Sequence, residues 1–218
     1  MTLSTNDGSS TRSGPGWLAG RRVGRAAAAI IAFVALLWVL EGVDTVMNNA
    51  LDQWGIRPRQ EEGLRGIAFA PLLHGGWQHL AANSVPALVL GFVGLVAGAA
   101  RFVVATALIW LFSGAGVWLT GGTNTLVVGL SGVIFGWMTY LVARGLFTRK
   151  IVDVVVGVAL LVVYGGMLWG VFPGDPGISW QAHLWGAVGG VIAAVWLGRR
   201  SRAAVRSRKS SEVGSIAS

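Results

Sequence analysis

Six uncharged or nearly uncharged apolar stretches, each close to the thickness of a bilayer, constrain this chain more than any other feature. A hydrocarbon core about 30 Å thick is crossed by roughly 20 apolar residues in helical form. Lipid offers the backbone no hydrogen-bond partners, so a helix is the economical way for such a stretch to cross. The stretches are Ala26–Met47, Leu80–Ala100, Phe102–Thr120, Leu126–Ala143, Val154–Phe172 and Ile178–Leu197. The expected fold class is therefore all-α, a polytopic membrane protein with six transmembrane helices. In the first stretch only Ala26–Leu40 is free of charge. Glu41 and Asp44 then belong at an interface or against protein.

Composition agrees. Charged residues make up 12% of the 218, where soluble domains carry about 25%. Mean hydropathy is +0.65, and such a surface cannot belong to an ordinary water-exposed fold. Gly 33 and Trp 11 are both abundant, as expected where helices pack closely and rings anchor at the membrane interface. With Cys 0, disulfides and thiol chemistry are excluded. Three His without a carboxylate cluster give no basis for a metal centre, and no cofactor is expected.

The net charge of +8 raises the question of nucleic acid. Its location answers it. Residues 1–25 and 199–218 are polar and basic and read as disordered tails flanking a membrane domain at 26–198. With the N-terminus in the cytoplasm, six spans return the C-terminus to the same side. All of the 17 basic residues except Arg57, Arg59 and Arg65 then face inward, as the positive-inside rule requires. The tails are orientation signals and contacts for anionic lipid, and no nucleic-acid partner is expected. The outer connection at roughly 48–79 is the longest and reads as a segment lying along the interface.

Polar side chains inside such stretches are costly and mark function by default. Three clusters stand out: His74 to Asn83, Gly129-Leu130-Ser131-Gly132, and Ala182-His183. In the six-span topology His79 and Asn83, Ser131 and His183 all fall near the outer ends of their helices, with Ser131 about one turn into the fourth. A serine hydroxyl needs a base to become a nucleophile, and His183 could serve. His79 and Asn83 are four apart, on one helix face, and with the Ser131 amide could form an oxyanion hole. Gly129 and Gly132 leave room for a substrate backbone. Each cluster alone also fits helix packing or interhelical hydrogen bonding, and His74 alone fits a simple interface residue.

Taken jointly, His74 with His79-x-x-x-Asn83, Gly129-x-Ser131-Gly132-x-x-x-Gly136 and Ala182-His183-x-x-Gly186-x-x-x-Gly190 resemble the rhomboid intramembrane serine proteases over about 74–190. The resemblance implies a minimal six-helix rhomboid-like bundle with both termini cytoplasmic. It implies Ser131 as nucleophile and His183 as general base, a dyad without a third acid, with His79 and Asn83 as oxyanion hole. Gly129 borders that site and His74 supports its outer edge. Phe135, four positions after the serine, stands where the family places an aromatic ring on the catalytic histidine, and where many members carry Tyr. Asp175 lies in a Pro-Gly turn and reads as a solvated cap. Tyr164 and Gln181 receive no role. The family's Trp-Arg pair in the long outer loop is not matched, because Trp54 and Arg57 are separated by two residues.

The implied function is hydrolysis of transmembrane protein substrates near the outer face of a prokaryotic plasma membrane. Two other readings stay open on the sequence: a non-cleaving relative that binds membrane proteins, and a small proton-coupled transporter using His79 and His183. The first is expected to lack a dyad residue, and the second needs polar residues through the inner half of the bundle. After His183 the last stretch reads LWGAVGGVIAAVWL.

Overall fold

The computed structural model describes residues 15–148, 150–174 and 177–216, and the side-chain surroundings of 20–148, 150–174 and 177–200. Among the described residues six α-helices carry the fold: α1 (Pro15–Val46), α2 (Gly66–Phe69), α3 (Trp77–Thr120), α4 (Ser131–Thr148), α5 (Ile151–Tyr164) and α6 (Trp180–Ile216). Among the described residues the only β-type pairing is an isolated bridge between Ile56 and Val127.

Helix α1 stops at Val46, where Asn48 and Asn49 adopt left-handed conformations (φ 54 and 60). Asn is one of the few residues that tolerates this region. Helix extends through residues 15–25 and 199–216, inside the two stretches read as disordered tails. Adding residues to a helix already nucleated is far easier than starting one, and these stretches are rich in Arg, a good helix former.

Among the described residues four segments are long and apolar enough to cross a membrane: Gly20–Val46, Trp77–Thr120, Ile151–Val171 and Trp180–Arg200. The sequence reading has six. The difference has two causes. Helix α3 runs 44 residues but is broken at Gly98 (φ 157, ψ 91), so it holds both the second and the third expected stretch. A Cβ at Gly94 would strike the Phe102 ring. In a straight helix residues eight apart stand about 12 Å apart along the axis, so the chain bends sharply between them. Helix α4 is shorter and more polar, with Ser131 and Arg144 in it, and it is buried over most of its length. It sits at the centre, packed most extensively against α6 and then against α5 and α3, with α1 lying on α3.

The α4–α6 contact is built on glycine. A Cβ at Gly186 would run into the carbonyl of Gly132, one at Gly190 into that of Gly136, and one at Gly136 would lie 2.7 Å from the Gly186 carbonyl. Only hydrogen side chains let two helices approach this closely. Two hydroxyls tie α6 to its neighbours: Ser113 donates to the Ala182 carbonyl (3.0 Å) and Thr139 to that of Ala187 (2.8 Å).

The long connection after α1 is folded against the protein. Ile56 and Val127 exchange backbone bonds of 2.9 and 3.0 Å, and the Arg59 amide donates to the Trp118 carbonyl (3.0 Å). The indoles of Trp110 and Trp118 donate to the carbonyls of Ile67 and Gln60, both at 2.9 Å. The Arg65 guanidinium lies 4.9 Å above the Trp54 ring.

Candidate active site

The segment before α4 places Ser131. Val127 is paired to Ile56, the Gly129 amide donates to the Ala70 carbonyl (2.8 Å), and Gly129 has φ 121. These bonds hold residues 127–129 out of helical geometry, so α4 begins at Ser131. This corrects the expectation that Ser131 lies a turn inside its helix. At the first position, its N–H and those of the next residues have no carbonyl in the preceding turn. The positive end of the α4 dipole also points to this spot.

His183 lies in the first turn of α6, buried at 6% exposure. Its Nε2 is 2.8 Å from Ser131 Oγ and its Nδ1 is 3.0 Å from the Gly170 carbonyl oxygen. A carbonyl only accepts, so a hydrogen bond there puts the ring proton on Nδ1 and leaves Nε2 with a lone pair for the Ser131 hydroxyl. A backbone carbonyl thus takes the place a carboxylate has in a triad. Phe135 stacks on the His183 ring, with centroids 4.0 Å apart and planes 6° apart. Asp175 lies outside the described residues.

His79 and Asn83 lie on the first two turns of α3 and line the same cavity as Ser131 and His183. The Asn83 amide donates to the His79 carbonyl (3.1 Å). Its second N–H and its oxygen stay available. The His79 ring rests over Gly129, where a Cβ would lie 2.6 Å from Cε1. His74 is fully buried below this pair, ring edge to His79 at 5.2 Å, and its Nε2 accepts the Leu130 amide at 3.4 Å. Burial, with His79 beside it, pushes the His74 pKa down to about 4, so this ring is neutral at physiological pH. His74 thereby holds the residue preceding Ser131 rather than facing the cavity. No group of three or more potential metal ligands occurs among the described residues.

The cavity has a volume of about 1020 Å³. Besides the four residues named, it is lined by Gln78, Gln181 and residues 125–128. Tyr164 instead packs at the edge of the core. Sequence reasoning missed Gly170, because a carbonyl acceptor carries no side-chain signature. It lies in the 3-10 turns Gly165–Val171 after α5. A Cβ there would sit 2.9 Å from Phe135 Cζ and 3.0 Å from His183 Nδ1.

Three comparisons with known proteins bear on this arrangement. The family model described as Rhomboid domain matches residues 61–200, which covers α2 to α5 and α6 as far as Arg200, but not α1. Uncharacterised proteins of Mycobacterium tuberculosis and Mycobacterium bovis are each 46% identical over 202 residues, covering 89% of this chain and 82% of theirs. One from Mycobacterium leprae is 44% identical over 181 residues, covering 79% and 72%. No solved structure matches.

Proposed function

This chain belongs to the rhomboid family and is a multi-pass membrane protein; on that premise we propose that it is an intramembrane serine endopeptidase working through Ser131 and His183. The observation that carries the reading is the 2.8 Å contact between His183 Nε2 and Ser131 Oγ, with Nδ1 already engaged by a carbonyl. A lone serine in a helix contact needs no such base.

In the proposed reaction the Ser131 oxygen attacks a peptide carbonyl while its proton passes to His183 Nε2. The developing oxyanion meets the Ser131 amide, the free N–H of Asn83 and His79. His183 then protonates the departing amine, and water, with His183 again as base, releases the acyl-enzyme. The wide, partly polar cavity supplies room for that water. A substrate helix must unwind locally here, since its carbonyls are otherwise bonded within the helix. Transmembrane proteins with helix-breaking residues near one end, and small residues at the cut, fit this demand.

In this reading the chain crosses the membrane six times, with α3 contributing two passes around Gly98 and α4 one. Both termini are cytoplasmic, the cavity opens to the outer face, and the membrane is a prokaryotic plasma membrane. The charge distribution and the mycobacterial relatives support it. The 20 or so residues at each basic end would meet anionic lipid. A serine-directed fluorophosphonate tests the reading: its adduct is expected on Ser131 and absent from Ser131→Ala. Labelling that survives the substitution would refute the nucleophile assignment.

A further inference from the structure

At the end of the bundle away from the cavity, α3, α4 and α6 enclose a small hollow lined by Arg101, Tyr140, Arg144, Thr148, Ala194 and Leu197, among others. Arg144 is 13 residues beyond Ser131 on α4, about 20 Å along the helix axis. The hollow is therefore separate from the serine site.

Its chemistry is that of an anion receptor. Arg144 is held in place from two sides: one Nη donates to the Ala97 carbonyl at 3.0 Å and Nε pairs with Asp153 at 3.4 Å. Its other Nη faces Gly98, 3.9 Å from where a Cβ would stand. The bend at Gly98 brings Arg101 round to the same spot. Arg101 is exposed and has no hydrogen-bond partner among the described residues. The Tyr140 hydroxyl lies in the field of both guanidinium groups, although Tyr140 itself is 2% exposed. Two cations therefore stand against one carboxylate, with two hydroxyls beside them. Planar guanidinium and hydroxyl donors match the oxygens of a phosphate group.

The surroundings decide which phosphate. Ala194 and Leu197 give the hollow an apolar wall, and Val103 and Val104, just beyond Arg101, are exposed at 60% and 41%. A free ion has no use for such a surface, whereas acyl chains do. Basic recesses between membrane helices at the positively charged face take up lipid headgroups in this way. We infer that the mouth of the Arg101–Tyr140–Arg144 hollow, whose interior of about 20 Å³ has room for little more than a water, binds the phosphate of an anionic glycerophospholipid against Arg101 and Arg144, with its acyl chains along α3 and α6. This does not rest on the serine chemistry and would hold for an inactive protein.

Native mass spectrometry of the full chain in detergent tests it, with phosphatidylglycerol and phosphatidylcholine of identical acyl chains as probes. Wild type is expected to retain phosphatidylglycerol preferentially. Arg101→Gln should lower that retention about fivefold, the factor for one basic residue at an anionic surface. Arg200→Gln, a charge change outside the hollow, should leave it unchanged. Equal retention of the two lipids, or equal losses in the two variants, would overturn the site. Inorganic phosphate at millimolar concentration displacing the lipid completely would overturn the lipid assignment in favour of a free anion.

Discussion

The carbonyl of Gly170 lies 3.0 Å from Nδ1 of His183, at the far side of the ring from Ser131. It orients the imidazole without a second titratable group. It also ties the ring to the 3-10 turns that follow α5, the apolar segment with the least burial among those of membrane length. The site's geometry thus depends on an element outside the two helices that carry its side chains.

Gly170→Ala should therefore impair the reaction without unfolding the protein. The new methyl group would press on both Phe135 and His183. A displacement of about 1 Å at a reacting group costs on the order of 100-fold. Cleavage kinetics should show this in kcat, with KM little changed and the thermal midpoint close to wild type.

Asn83→Ala should remove an oxyanion donor while leaving Ser131 and His183 in place. The expected loss is about 2.7–4 kcal/mol of transition-state stabilisation. Fluorophosphonate labelling should still occur at Ser131. An unchanged kcat would remove Asn83 from the oxyanion hole.

Gly186→Ala tests the packing rather than the chemistry. Its Cβ would meet the Gly132 carbonyl, forcing α6 away from α4 and from Ser131. Overpacking of this kind costs about 1–3 kcal/mol, read as a lowered unfolding midpoint in detergent. Activity should fall as well, because Gly132 adjoins Ser131.

Two groups outside the spans, the half-buried Asp52 and the buried His74, should give opposing pH dependences of stability. Burial, reinforced by Asp44, pushes the Asp52 carboxyl up to about 6, from 3.8. The folded state holds that proton more tightly, so Asp52's contribution is greatest at low pH and is lost as pH rises from about 4 to 6. His74 moves the other way, from 6.5 to about 4. The unfolded chain binds its proton more readily, so stability is lost as pH falls through that window. Measured as differences from wild type, Asp52→Asn should remove the first slope and His74→Gln the second. Equal slopes in wild type and both variants would contradict these assignments.

Much of this was legible in the sequence, for a physical reason. In a chain with so few polar residues inside its apolar stretches, Ser131, His183, His79 and Asn83 stand out, and their spacing names the helix ends that carry them. Phe135 was readable by resemblance. The start of α4 was not, because hydropathy continues smoothly through Leu126–Leu130 while backbone bonds to Ile56 and Ala70 hold residues 127–129 out of helical geometry. Hydropathy also divides Ala100 from Phe102 at Arg101, whereas the helix breaks at Gly98, where only a backbone angle marks the place. Gly170 acts through its carbonyl, and Gln78 and Gln181 join the site only once α3 and α6 are packed.

The central claim is that Ser131, activated by His183, cuts membrane-spanning proteins. The most direct measurement incubates wild type, Ser131→Ala and His183→Ala in liposomes with a panel of single-span substrates and maps the products by mass spectrometry. Wild type should cut at defined bonds near one end of the substrate helix, and both variants should leave the substrates intact. Cleavage at the same bonds by Ser131→Ala would contradict the account.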